Sequence, residues 1–224
     1  MRSTQISSEV FKRSNRWTVS FFAEPEEGVS SSYRSIQIGE LCKERRGSLD
    51  PQLLGEALIN YIGLENVRSK TGELVEFQAR SASKVKSRSK KFETNDVLFG
   101  RLRPELNKVY VVESGISSGL CSGEFLVLTP NLDHVTPRYL RYLLASKFVT
   151  SYVSKYKAGA SLPRISAQDL MSLKIPLPPL KVQEDLDFQL EKLEAELSIL
   201  RLRLQSLPQE MEDLVISVLR SGEN

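Results

Sequence analysis

Towards the end of the chain, leucines recur at alternating intervals of four and three: Leu186, Leu190, Leu193, Leu197, Leu200, Leu204 and Leu207. Met211, Leu214 and Val218 continue the alternation. An average period of about 3.5 is what a seam between paired helices requires. The pattern predicts a helix over 182–219, about 57 Å long at roughly 1.5 Å per residue. Pro208 falls inside it and is expected to kink the helix or split it into two. Alone, such a helix would expose its apolar stripe, so the pattern asks for a partner helix; packing back onto the chain's own body is the alternative. Upstream, Tyr139, Leu140, Leu143, Leu144, Phe148 and Tyr152 fall at helical spacings behind a Thr136-Pro137 start. They predict one helix, or a helix with a break, over 137–156.

Between these helices and the beginning of the chain the apolar runs are short and punctuated. Residues 1–16 read as a loose lead-in or a short strand, WTVSFF (17–22) as a strand or anchoring segment, and 24–32 as a loop. Strands are expected at 61–67 with Gly63 inside, at 74–77 after a Thr71-Gly72 turn, at 109–112, and at 124–128, stopped by Pro130. The stretch at 92–108, FETNDVLFGRLRPELNK, carries an Asn95-Asp96 turn signal and the strand-like Val97-Leu98-Phe99. Gly100 follows, then an alternation that puts Arg101 and Arg103 on one side and Leu102 on the other. Pro104 biases Arg103 towards an extended conformation.

Charge adds a division. Residues 1–179 hold 26 Lys+Arg against 18 Asp+Glu, and 180–224 hold 5 against 10, so a body of net +8 precedes a segment of net −5. A basic body favours a polyanionic partner without identifying it. The most basic run is SASKVKSRSKK at 81–91. As an extended ribbon it would present Lys84, Lys86, Arg88 and Lys90 on one face, with Lys91 following and serines between them able to donate to phosphates. Arg45 and Arg46 beside Gly47 suit either a phosphate backbone or a helix end with a glycine cap. Lys155, Lys157 and Arg164 are further cationic candidates, Arg164 suiting either DNA or a brace within the domain.

Candidate chemistry is sparse. Cys42 and Cys121 form no CxxC pair, and His134 is the single histidine, so a disulfide scaffold and a cysteine–histidine zinc site are not expected. Neither a signal peptide nor a membrane span is suggested, and the expected compartment is the cytoplasm. No GxSxG elbow, Walker loop, dinucleotide fingerprint or Asn/Asp-Pro-Pro-Tyr methylase motif occurs. Asp96, Glu105 and Lys108 are the nearest approach to a nuclease cluster, at a spacing that matches no nuclease pattern.

The run Asn95 to Pro104, with Asn107-Lys108-Val109 after it, resembles the central motif of the DNA-specificity subunits of type I restriction–modification systems. YIGLENV (61–67), TGEL (71–74), SGEFLVL (122–128), PRYL (137–140), GASLPRIS (159–166) and IPLPPL (175–180) agree in order. The resemblance spans roughly 34–222. It implies an α/β (α+β) chain: a target recognition domain at 1–179 with a mainly β core and short helices, then a coiled-coil spacer and dimerisation helix at 180–224. It further implies that the chain is not an enzyme, binds double-stranded DNA, and directs a partner DNA adenine methylase that carries S-adenosylmethionine. A restriction subunit using ATP and Mg would be an additional partner; no cofactor is expected on this chain. The family's full subunit has two recognition domains and two long helices, whereas one of each is legible here. Two copies with antiparallel helices would restore the missing half and read a spaced palindrome. The docking platform for the other subunits maps to 180–219 with the PLPP stretch, and the acidic flank Glu184, Asp185, Glu191, Glu194 and Glu196 suits a protein face rather than DNA. A stand-alone dimeric DNA-binding regulator and a metal-dependent nuclease are the alternatives.

Overall fold

The computed structural model describes residues 32–154 and 162–221; the expected elements at 1–16 and 17–22, almost all of the 24–32 loop, and Lys155 and Lys157, lie outside them. The described elements run β1 (Ser35–Gln37), α1 (Ile38–Leu41), β2 (Cys42–Glu44), β3 (Leu58–Ile59), β4 (Tyr61–Ile62), β5 (Arg80–Ser81), β6 (Ser89–Glu93), β7 (Val97–Gly100), β8 (Val109–Val111), β9 (Ser118–Ser122) and β10 (Phe125–Pro130). Then come α2 (Pro137–Ala145), α3 (Lys147–Ser154), α4 (Ala167–Met171), β11 (Lys174–Pro176) and α5 (Leu180–Ser221). The chain divides into two compact units, Met1–Leu180 and Lys181–Asn224. The fold is mixed α/β with small sheets, followed by one long helix.

The first unit is built on a four-stranded antiparallel sheet of order β2-β10-β7-β8. All four residues of β7 are buried, because both faces of this sheet are covered. Alternation divides the strand: Val97 and Phe99 point into the larger cluster with Leu126, Leu128, Val109 and the helical residues Ile38, Leu140, Leu144, Val149 and Leu170. Leu98 points the other way, with Tyr110, Phe125 and Val127, onto Ile62, Phe92 and Cys121. Those last three belong to a second sheet of order β4-β9-β6, in which β4 pairs parallel and β6 antiparallel to β9. A third, small cluster of Tyr61, Val85 and Leu120, with Leu49 and Ile59 against it, lies apart from both.

Several local expectations change on folding. The strand expected at 61–67 stops at Ile62, and 64–66 wind into a 3-10 turn. The cause is Asn66, whose buried side chain accepts from the Gly63 N–H and donates to the carbonyls of Val75 and Glu76. Its partners are thus local loop atoms rather than a ladder. Residues 74–77 contribute a single bridge, Val67 to Leu74, and not a strand. The Thr71-Gly72 turn is present with Gly72 at φ +63°, where an added Cβ would lie 1.9 Å from the Val109 carbonyl. The helix expected over 137–156 breaks at Ser146, where α2 ends and α3 begins. Thr136 caps α2 by accepting from the Tyr139 N–H, and Ser166 caps α4 by accepting from Asp169.

The second unit is α5, 42 residues long and so about 63 Å from end to end. Pro208 does not split it: the helix continues on both sides. A proline has no N–H for the carbonyl of Leu204, and its ring crowds that turn. Around it Glu210 gathers Arg203 and the Ser206 hydroxyl, while Gln209 donates to Asp213 at 2.9 Å. These side-chain links bridge the turn that the proline weakens. Leu193, Leu197, Leu200, Leu204, Met211, Leu214 and Val218 are exposed by 38–69%. Leu186 is also exposed, and Leu190 and Leu207 are half-buried. No helix among the described residues is long and apolar enough to cross a membrane.

Candidate nucleic-acid interface

Asp96 follows Asn95, which adopts the left-handed conformation at φ +70° and so turns the chain from β6 into β7. The turn drives the Asp96 carboxylate inward, to 1% exposure. There it accepts from the Arg45 Nε at 2.8 Å, the Thr129 hydroxyl at 2.6 Å and the Glu93 N–H at 2.8 Å. Arg45 also reaches Glu93 at 3.0 Å. The hydrogen bond to Asp96 leads the interactions that hold the guanidinium even more firmly protonated than usual. Arg45 therefore ties β2 to the β6–β7 turn. The residues around it, Cys42–Glu44, are strand and not a helix end, so the glycine-capped helix end is absent; Gly47 sits at φ +109° beyond the strand. Arg46 is different: its side chain is 87% exposed and 3.7 Å from Glu44.

The stretch after β7 is pinned by the segment before α4. The Arg103 N–H donates to the Pro163 carbonyl at 2.8 Å and the Ile165 N–H to the Arg101 carbonyl at 3.1 Å. Leu102 bridges Arg164. Arg164 grips Glu124 with a two-pronged contact, Nη2 to Oε1 at 2.7 Å and Nε to Oε2 at 3.0 Å. That hydrogen bond holds the Glu124 carboxyl below the usual carboxylate range, with Arg101 and Lys90 adding to it. Arg101 is half-buried, and its Nε has no hydrogen-bond partner. Arg103 is not extended as Pro104 suggests: it is left-handed at φ +48°, because its N–H bonds Pro163 and its carbonyl accepts from Leu106 to close the following 3-10 turn. It is exposed, with Nε 3.5 Å from Glu105.

The basic run at 81–91 is not an extended ribbon. Ala82–Lys84 wind into a 3-10 turn, Val85 is buried in the small third cluster, and the strand resumes at Ser89. Burying the apolar Val85 outweighs the regular alternation of charge. Lys84, Lys86, Arg88 and Lys91 are exposed. Arg88 donates to the Ser48 hydroxyl and carbonyl at 3.0 and 2.9 Å. Lys90 turns the other way, to Glu44 at 3.3 Å and the Phe125 carbonyl at 2.9 Å, with 16% of its side chain exposed. Among the described residues Lys84, Lys86 and Lys91 form no ion pair. The acids and lysine nearest to a nuclease pattern are engaged separately: Asp96 by Arg45, Glu105 near Arg103, and Lys108 by the Leu64 carbonyl at 2.6 Å. No group of three potential metal-ligating residues occurs among the described residues.

Sequence reasoning named the cations but missed Asp96 as the buried carboxylate that holds Arg45; its signal was the Asn-Asp turn directly before an apolar strand. It also missed Leu53, Leu54 and Leu58, which lie in no periodic pattern and are all exposed.

The family model for the type I restriction modification DNA specificity domain matches residues 31–209, and the chain belongs to that family. It resembles the EcoDI specificity subunit of Escherichia coli, 24% identical over 187 residues, which are 83% of this chain and 39% of that subunit. The HindI specificity subunit of Haemophilus influenzae is 26% identical over 98 residues, 42% of this chain and 21% of that one. Among solved structures, the HsdS subunit of Thermoanaerobacter tengcongensis superimposes with a TM-score of 0.66 and 26% identity, covering 81% of this chain and 47% of that chain. A chain from an assembled type I R-M system gives a TM-score of 0.65 at 26% identity, covering 85% of this chain and 49% of its own. The chain thus spans less than half the length of the relatives it matches. The family is that of the DNA specificity domain, and the relatives it resembles are named specificity subunits of type I restriction enzymes.

Proposed function

We propose that this chain binds a specific duplex DNA sequence as a homodimer and directs adenine methylation by a partner subunit. The observation that supports this best is the exposed apolar seam of α5, from Leu186 to Val218. Such a strip at a period of about 3.5 residues is stable in water when covered by a second helix. A two-fold dimer presents one recognition surface twice, so its target is a spaced palindrome. The exposed cations Arg46, Lys84, Lys86 and Lys91 supply phosphate contacts, with Arg101 and Arg103 of the central motif and Arg164 as further cationic candidates. Arg45 and Lys90 act instead as braces. A methylase subunit carrying S-adenosylmethionine is the expected catalytic partner, with an ATP- and Mg-dependent restriction subunit as a further one. The compartment is the cytoplasm, where such DNA is found.

The test is reconstitution with the methylase subunit, read by sequence-resolved adenine methylation. Site-specific methylation that requires both proteins supports the reading. If the methylase marks the same sites without this chain, the specificity role fails. Sedimentation of the purified chain at micromolar concentration tests the dimer independently, and a single-chain mass would remove it.

A further inference from the structure

We propose that Leu53 and Leu58 read thymine methyl groups in the major groove, with Lys84 and Lys86 on the phosphates beside them. The inference rests on the duplex-DNA reading above and assigns it a base-reading tip.

Leu53 is 85% exposed, Leu58 76% and Leu54 46%. They fall within six consecutive residues, and no other segment of the first unit exposes as much apolar side chain among the described residues. They are not on a loose loop. Asp50 caps the 3-10 turn Pro51–Leu54 by accepting from the Gln52 N–H at 3.0 Å. The Gly55 and Ala57 carbonyls accept from Ser83 and Ala82, both at 2.9 Å. Leu58 pairs with Ser81 across the β3–β5 ladder. Leucines held outward by this much backbone bonding are built to meet another surface.

Charge identifies that surface. Residues 78–91 carry Arg80, Lys84, Lys86, Arg88, Lys90 and Lys91 and no acid. Lys84 adjoins Ser83, whose N–H is bonded to Gly55 directly beyond Leu54. The nearby acid, Glu56, is engaged by Ser81 at 2.7 Å and held ionised by Ser81 and Ser83, with Lys84 contributing. An apolar tip flanked by exposed lysines fits a polyanion that also offers apolar groups. Duplex DNA does so in the major groove, where thymine shows a C5-methyl that no other base has. Ile59, next to Leu58, packs on the small cluster of Tyr61, Val85 and Leu120, and Arg80 stacks 5.0 Å from the Tyr61 ring centre.

The experiment is selection from a random duplex pool with the full chain, wild type and L53A/L58A. Both leucines are exposed, so the variant should melt within a degree or two of wild type. Wild type should recover a defined motif. The variant should lose preference at one or more thymines, on the order of tenfold at each, with nonspecific affinity and its salt dependence unchanged. Deoxyuridine at those positions should cost wild type a similar factor and the variant nothing. An unchanged motif in the variant overturns the proposal, as does an equal loss on all sequences. An unchanged motif with weakened capture of the methylase subunit overturns it in favour of a protein-binding face. If wild type binds no duplex, the DNA reading itself fails and takes this one with it. If wild type binds duplex without sequence preference, the sequence-specific reading fails together with the base-reading tip, whereas a defined motif that L53A/L58A leaves unchanged removes the tip alone.

Discussion

Arg45 lies side-on against Asp96, with Nε 2.8 Å from Oδ2 and Nη2 3.3 Å from Oδ1. The acid is buried and the arginine partly exposed. Removing the acid leaves the guanidinium, the Thr129 hydroxyl and the Glu93 N–H without their shared acceptor. Asp96→Ala should cost about 3 kcal/mol in urea unfolding, and Arg45→Ala should cost as much or less, since the Asp96 carboxylate retains its other donors. A loss below about 1 kcal/mol for Asp96→Ala would contradict the bracing role.

Glu124 and Arg164 make a pH-dependent clamp. The folded carboxyl titrates below its ordinary value of 4.5, chiefly because of the hydrogen bond from Arg164. A depressed folded pKa contributes stability above the unfolded value, and that contribution fades as pH falls through the folded one. The stability difference between wild type and Glu124→Gln should therefore be constant above about pH 5 and shrink below pH 4.5. Chemical denaturation at stepped pH measures it; a difference that grows in acid would reverse the sign.

Both cysteines are buried, and burial pushes each thiol up to about 12. The reactive thiolate is then scarce at pH 8. Native protein should resist iodoacetamide for hours, and two thiols should react at once in denaturant. Raised folded values also mean that stability is present below the unfolded thiol pKa and is lost as pH rises towards 12. Rapid modification of native protein would show that the cluster around Cys121 opens readily.

These packed groups show where sequence is informative. The period of the leucines in α5 and the apolar run in β7 are local patterns with one physical reading each, and both elements form where expected. The cap Thr136 was legible for the same reason. The 61–67 strand was not, because Asn66 finds its partners ten residues on, at Val75 and Glu76. The charge ribbon at 84–90 failed because Val85 has a cluster to join and Lys90 has Glu44 to meet. Which cations remain exposed depends on acids far away in sequence, and those pairings leave no local trace.

Gly72 offers a sharp backbone test. It is left-handed, and a methyl group there would collide with the Val109 carbonyl and approach Arg141. Gly72→Ala should cost at least about 1 kcal/mol by thermal or urea unfolding. An unchanged midpoint would mean that the 70–73 turn relaxes freely.

Pro208 gives the opposite expectation. Replacing it with alanine restores a helical N–H for Leu204 and removes a residue that disfavours helix interiors by up to about 3 kcal/mol. Pro208→Ala should raise the thermal stability of α5, followed by circular dichroism at 222 nm, and leave the recovered DNA motif unaltered. A drop in helicity would overturn this expectation.

The three separate apolar clusters bear on how such a chain can change over time. Of the Pro51–Ile59 segment only Ile59 joins a cluster, the smallest, and neither main cluster contains a residue of it. Substitutions at Leu53 or Leu58 therefore draw on no packing shared with β7 or the helices. A lineage can vary the side chains of this exposed surface while its folding stability stays nearly constant, so change at the surface is uncoupled from the risk of unfolding.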